Sequence, residues 1–354
     1  MKDRKVSIID STLRDGNHSV NNRFNIEDIK IIVKKLDIAG IDYIEVGYGY
    51  GIGSFNDEGY PTDEEIIKAA ISQTTISKIA ILVFPNKADI NEYKKLLNYN
   101  LGLVRIAVQA SNVEPSREYI KIAKDKGIKV GGFMMMASRL SAQKMADEAM
   151  KLKEYGVDSV TITDSAGAME PSKVEEAIKL VKNKTNLEVG FHTHDNLGLA
   201  VGNSVLAIKN GASFVDAAIA GLGAGAGNTR EDMLISVLLK EGYKINADIF
   251  KAISCVKDLI GIVKEYGIEV KDIGDLILIG HYGIYSTFIK LVNKLSKKYK
   301  VNKKEFIEKI AENEFVPGDE KKIEDLAISM GYWITLKYPF YLILSKKGKY
   351  SFII

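Results

Sequence analysis

Lys78-Ile-Ala-Ile-Leu-Val-Phe84 is almost continuous in apolar residues, and so is Leu103-Val-Arg-Ile-Ala-Val108. A strand with one face in water alternates apolar and polar residues; one that is apolar at successive positions is covered on both faces, as in a parallel sheet wrapped by helices. Outward from these two runs, short β-branched stretches alternate with helical patterns from residue 6 to about 222. The strands fall at 6–10, 42–47, 78–84, 103–109, 128–134, 158–163, 187–193 and 213–219. Between them, segments such as 26–36 carry Ile26, Ile29, Val33 and Leu36 at the three-to-four spacing of an amphipathic helix. Thr62 with Glu65, and Ser172 with Glu175, have the spacing of capping boxes. Gly40, Gly127, Gly156 and Gly211 each close a helical pattern just before a strand, where a left-handed cap suits glycine. Eight such units predict an α/β fold, a closed (β/α)₈ TIM barrel. A doubly wound open sheet is the competing architecture, and the missing dinucleotide fingerprint counts against it.

Beyond about residue 245 the strand signal gives way to helical patterns over 246–265, 286–298 and 302–312. The chain therefore divides into a catalytic barrel, 1–245, and a mainly helical C-terminal extension, 246–354. Pro339-Phe-Tyr-Leu-Ile-Leu, Ser345-Lys-Lys-Gly-Lys and Tyr350-Ser-Phe-Ile-Ile have the pattern of a terminal β-hairpin turning at Gly348, with an apolar tail or a docking surface as alternatives.

Composition narrows the function. Lys and Arg total 49 against 46 Asp and Glu, so no strong field favours nucleic acid, and a small-molecule enzyme fits better. Cys255, the single cysteine, can form no intrachain disulfide and suits a reducing compartment, where it serves as a small buried hydrophobe. The N-terminus lacks an apolar signal region, and no uncharged apolar run reaches the ~18 residues of a membrane span, so a soluble, cytoplasmic protein is expected.

In such a barrel the chemistry sits at the C-terminal ends of the strands. Strand one leads into Leu13-Arg-Asp-Gly-Asn-His18, strand six into Asp164-Ser165, strand seven into His192-Thr-His194-Asp-Asn196, and strand eight into the glycine-rich 221–227 and Asn228. His192 and His194 are two apart on an extended segment, so both side chains point the same way and can reach one divalent ion; a polar rim is the alternative. Three of the four histidines lie at strand ends of one face, which favours the metal site. Asp15 is the candidate third ligand, with pairing to Arg14 or helix capping as its other roles. Arg14 suits a developing enolate oxygen, and His18 is free to act as general base. The 221–227 stretch lacks the Lys-Ser/Thr of a nucleotide loop, so it reads as tight backbone packing that places Asn228 near the metal. Tyr48 and Tyr50 either line the entrance or pack within their loop. Met134, Met135 and Met136 fill the barrel or wall the pocket.

Ser11-Thr-Leu-Arg-Asp-Gly-Asn-His18, Asp164-Ser-Ala-Gly-Ala168, His192-Thr-His-Asp-Asn196, Ala220-Gly-Leu-Gly-Ala-Gly-Ala-Gly-Asn228 and Gly283-Ile-Tyr-Ser-Thr-Phe288 together resemble the metal-dependent pyruvate aldolases, relatives of isopropylmalate synthase and HMG-CoA lyase. The likeness covers residues 6 to about 325. It implies a lyase that cleaves 4-hydroxy-2-oxopentanoate, or a related 4-hydroxy-2-oxo acid, to pyruvate and acetaldehyde or another aldehyde, in aromatic hydrocarbon catabolism. It further implies that Asp15, His192 and His194 hold Mn²⁺, which chelates the 2-oxo acid. Arg14 would stabilise the enolate, His18 take the C4 hydroxyl proton, Ser165 hold the carboxylate through its backbone N–H, and Tyr285, on a C-terminal helix, close over the aldehyde. An oligomer and an acylating acetaldehyde dehydrogenase partner are also implied. Tyr48 and Tyr50 stand where the family usually has His and Asp, His281 precedes the Tyr285 motif, and the tail from Tyr332 has no counterpart; these departures concern the aldehyde side. The alternative is an acyl-CoA condensing enzyme of the isopropylmalate or citramalate synthase type, which usually carries Glu-Gln where this chain has Asn17-His18.

Overall fold

A computed structural model describes residues 4–54, 59–313 and 315–337, with side chains described as far as Gly331. Eight strands, β1 (Ser7–Asp10), β2 (Tyr43–Val46), β3 (Lys78–Val83), β4 (Leu103–Gln109), β5 (Val130–Met135), β6 (Ser159–Asp164), β7 (Glu188–Thr193) and β8 (Phe214–Ala217), close into one parallel barrel in sequence order. Closure is made by β1 against β8, with Ile9 beside Asp216 and Asp10 beside Ala217. Each predicted strand is present with its ends shifted by no more than two residues.

The helices around it are α1 (Ile26–Ala39), α2 (Asp63–Ile71), α3 (Ile90–Leu96), α4 (Arg117–Asp125), α5 (Ala142–Tyr155), α6 (Pro171–Thr185), α7 (Ala200–Lys209), α8 (Glu231–Lys240) and α9 (Ile249–Glu265). Thr62 and Glu65 form the expected capping box on α2. Ser172 does not cap α6: the N-cap is Glu170 and Pro171 occupies the first turn, because its fixed φ suits that position and it has no N–H to satisfy.

The compact unit containing the barrel runs to Gly274, past the boundary that the sequence pattern suggests at 245, because α9 packs along α1 and α8. The second unit begins at Asp275. Its helices are α10 (Gly274–Tyr282, starting at the boundary), α11 (Phe288–Tyr299), α12 (Lys303–Glu312) and α13 (Glu320–Lys337). Here α11, α12 and α13 pack on one another, and Lys303 ties α12 to α10 through Asp275 at 2.6 Å. The sequence pattern shows α11 and α12 but neither α10 nor α13. The expected terminal hairpin lies outside the described residues. Among those residues no helix is long and apolar enough to cross a membrane.

Side-chain alternation sets the barrel interior. On β4, Leu103 joins an apolar cluster with Ile9, Ala80 and Phe214, while Ala107 joins another with Leu82 and Phe133. Arg105 falls between them, on the same face.

Candidate active site

At the C-terminal ends of the strands a cavity of about 290 Å³ opens. Arg14, Asp15, His18, Tyr50, Ser165, His192 and His194 line it, with an apolar wall of Leu82, Phe84, Ala107, Phe133 and Met135. Strand one leads into a 3₁₀ turn, Asp15–His18, which sets Asp15 at one end and His18 at the other.

Asp15 is buried and fully engaged. Its Oδ1 accepts from Arg14 Nη1 at 2.8 Å, and its Oδ2 accepts from Asn228 Nδ2 at 2.8 Å and from the Ala224 N–H at 3.3 Å. His194 Nε2 lies 3.9 Å from the same Oδ2. Burial alone would raise the carboxyl pKa, but Arg14, the two histidines and Asn228 outweigh it and hold Asp15 well below the usual carboxylate range. His194 Nδ1 donates to the Ala224 carbonyl at 3.1 Å, and His192 Nδ1 lies 2.9 Å from Asp216 Oδ2. With each Nδ1 directed at an oxygen acceptor, the Nε2 lone pairs are the free ones. One carboxylate oxygen and two imidazole nitrogens from Asp15, His192 and His194 lie within 4.8 Å of one another, a group that could hold a metal ion. Burial, then the neighbouring His192, lower the His194 pKa, which favours the neutral ligating form.

His18 stands apart from this group. Its ring meets Tyr50 edge-on at 4.8 Å, and Gly49 runs so close that a Cβ there would lie 2.4 Å from the imidazole. Burial lowers the His18 pKa, Asp15 opposing and Arg14 assisting. Of the two tyrosines, only Tyr50, 62% exposed, lines the cavity. Tyr48 is 1% exposed, and its hydroxyl donates to the Pro61 carbonyl. Ser165 lines the cavity while its Oγ accepts from the Met136 N–H at 3.1 Å. Met134 is buried and Met135 forms part of the wall. Tyr285 belongs to the second unit. It is not on a helix: Gly283, at φ 68°, ends α10, and Tyr285 lies in the link to α11 with its ring edge-on to Phe288 at 5.4 Å. His281 lies on α10.

Sequence reading overlooks the charges beneath the cavity. Arg14 Nε donates to Glu45 Oε2 at 2.6 Å; Arg105 Nε donates to Glu45 Oε1 at 2.7 Å, and its Nη1 to Asp216 Oδ2 at 2.6 Å. The same Asp216 oxygen meets His192. All of these groups are buried. Burial opposes the ionised forms of Glu45 and Asp216, but Arg105 above all, with Arg14 at Glu45 and His192 at Asp216, keeps both carboxyls below their ordinary pKa values. The available signal was one charge inside each apolar run: Tyr43-Ile-Glu-Val46, Leu103-Val-Arg-Ile106 and Phe214-Val-Asp-Ala217. A second buried pair joins Asp10 on β1 to Glu231 on α8. Asp10 accepts from the Thr12 hydroxyl at 2.7 Å and is hydrogen-bonded to Glu231.

Eight parallel strands with a histidine-bearing polar cavity at their C-terminal ends define an enzyme of the (β/α)₈ class. The HMGL-like family matches residues 5–260, and the DmpG-like communication domain matches residues 265–331. The 4-hydroxy-2-oxovalerate aldolase of Carboxydothermus hydrogenoformans is 36% identical over 92% of this chain and 98% of its own length. The enzyme of the same name from Bacillus thuringiensis is 33% identical over 93% and 96%. A solved HMG-CoA lyase from Brucella melitensis superposes with a TM-score of 0.63 at 17% identity, covering 74% of this chain and 99% of that one, a likeness of fold alone. The chain belongs to the HMGL-like family and, within it, to the 4-hydroxy-2-oxovalerate aldolases, and it is a lyase. These matches support the aldolase and not the acyl-CoA condensing alternative.

Proposed function

We propose that the protein cleaves 4-hydroxy-2-oxopentanoate, or a close 4-hydroxy-2-oxo acid, to pyruvate and an aldehyde, with Mn²⁺ held by Asp15, His192 and His194. The observation that carries this reading is the buried carboxylate and two imidazoles beside Arg14, whose Nη2 is buried with no hydrogen-bond partner among the described residues. A hard oxygen donor with two imidazoles suits a divalent first-row ion. When bound, the ion supplies Lewis-acid polarisation of the 2-oxo acid.

The chain's own groups do the rest. Ser165 offers its backbone N–H to the substrate carboxylate. Arg14 uses its free N–H on the oxygen that becomes the enolate oxygen, where a preorganised cation in a dry site is most effective. His18, kept neutral by burial, takes the C4 hydroxyl proton. The C4–O bond then becomes a carbonyl, and the C3–C4 electron pair passes into the pyruvate enolate, which takes a proton at C3 from solvent water while His18 gives its proton back to solvent. The match to a communication domain supports docking of an acylating aldehyde dehydrogenase on the second unit, which would consume the aldehyde; an oligomeric, cytoplasmic assembly is part of the same proposal.

Pyruvate release from short 4-hydroxy-2-oxo acids, followed with a coupled reductase with and without Mn²⁺, tests the reaction. Release that needs the metal is expected; no metal-dependent release from any of these acids overturns it. Co-purification with an acylating acetaldehyde dehydrogenase tests the partner, and failure to associate at micromolar concentrations removes it.

A further inference from the structure

We propose that Arg105 is a positioning residue that joins the two halves of the site, holding Arg14 through Glu45 and His192 through Asp216. This rests on the assignment of Arg14 and His192 given above. Arg105 is fully buried on β4 and lines no part of the cavity, so it touches no substrate. Its guanidinium donates one N–H to Glu45 at 2.7 Å and another to Asp216 at 2.6 Å, in the fork geometry that a lysine cannot reproduce.

Each carboxylate passes the constraint on through a different atom or a shared one. Glu45 receives Arg105 on Oε1 and Arg14 on Oε2, so fixing one guanidinium fixes the plane on which the other docks. Asp216 receives Arg105 and His192 on the same Oδ2. Its orientation therefore sets the direction of the His192 ring and which nitrogen carries the lone pair. Phe133 completes the frame. The Arg105 and Arg14 guanidiniums stand 4.7 and 5.6 Å from its ring centroid, and the His192 ring meets it edge-on at 5.3 Å. Glu45, Arg105 and Asp216 come from β2, β4 and β8, so the ties cross the barrel interior instead of following one strand. Two carboxylates this deep need a cation, but a cation serving stability alone would need no partner that also holds a cavity-lining group. Here both partners do so.

The test is Arg105→Lys, which keeps the charge and reaches one carboxylate at a time, with Arg105→Gln as a second variant. Mn²⁺ affinity is read from the free-ion paramagnetic signal, pyruvate affinity by calorimetry on the Mn²⁺-loaded protein, kcat from pyruvate release, and folding from a urea melt. The expected result for a folded variant is at least a tenfold weakening of Mn²⁺ binding together with a similar weakening of pyruvate binding and a fall in kcat. That joint loss at two subsites, neither touched by residue 105, is what a merely structural role would not produce. Wild-type affinities and kcat in a folded variant overturn the proposal, and so does failure of both variants to fold, which would make Arg105 purely structural. If the wild-type protein itself binds no Mn²⁺ and releases no pyruvate, the fault lies with the assignment of the site.

Discussion

Replacing Gly49 by alanine would separate proton transfer from metal binding. A methyl group at this position would lie 2.4 Å from His18 Cε1 and Nε2 and 2.6 Å from Nδ1. Ordinary contacts between such atoms need about 3.5 Å, so the ring must retreat by ~1 Å. Gly49 does not have a positive φ, and alanine can take up its backbone conformation without strain. The obstructing atoms belong to a side chain that can swing toward Tyr50, itself 62% exposed, so the fold should yield locally. A misplacement of ~1 Å of a reacting group costs about 100-fold in rate, equivalent to ~2.7 kcal/mol of transition-state stabilisation. The expected outcome for Gly49→Ala is a kcat for pyruvate release lowered about 100-fold, with stability by urea melt reduced by no more than ~1–3 kcal/mol, the usual cost of overpacking a buried site. Mn²⁺ affinity should stay close to wild type, because the three atoms nearest to a Cβ at 49 all belong to His18, which is not one of the residues assigned to the ion. A kcat within about threefold of wild type, or a loss of Mn²⁺ binding in parallel with activity, would refute the placement of His18 as the base.

Other outcomes follow from the same geometry. His18→Ala should slow turnover while Mn²⁺ stays bound, whereas His192→Ala should lose the ion; equal metal loss in both would make His18 a ligand. Because burial, the largest influence on His18, lowers its pKa, the acid limb of kcat/KM should fall below pH 6.5, the ordinary histidine value; a limb above 6.5 contradicts this. The buried Asp10–Glu231 pair makes stability pH-dependent. Burial raises Asp10 from 3.8 to about 7, and burial with the charge of Asp10 raises Glu231 well above 4.5. Above the ordinary carboxyl range the unfolded chain has released protons that the folded chain retains. The pair's contribution is thus complete below about pH 4 and declines as pH rises toward 7. Glu231→Gln should remove the Glu231 share of that decline in urea melts between pH 4 and 8, and parallel curves for the two proteins would exclude it.

The barrel was legible because its cause is local and repeated. Runs such as 78–84 are apolar at successive positions, and a glycine before the next strand ends one unit after another, as Gly40 and Gly156 do at φ 83° and 100°. Helices with less distinct patterns were not: α10 opens with Gly274 and contains Gly280, and α13 lies close before a tail of different composition. Ser172 misled because a capping box and a proline-started helix share the same nearby polar residues, and Pro171 decides between them.

By itself the sequence determined the number of strands, the rim that carries the polar residues, and the grouping of Arg14, Asp15, His18, His192 and His194, since strand-end position follows from chain order alone. Only the tertiary structure decided what each meets. Tyr48 turns inward to Pro61 while Tyr50 faces the cavity, and Gly49 between them passes against His18. Glu45, Arg105 and Asp216 are 60 and 111 residues apart in the two contacts that join them, so no local pattern could pair them. Closing the barrel brings β2, β4 and β8 to face one interior, where a buried charge persists only if another strand supplies its partner.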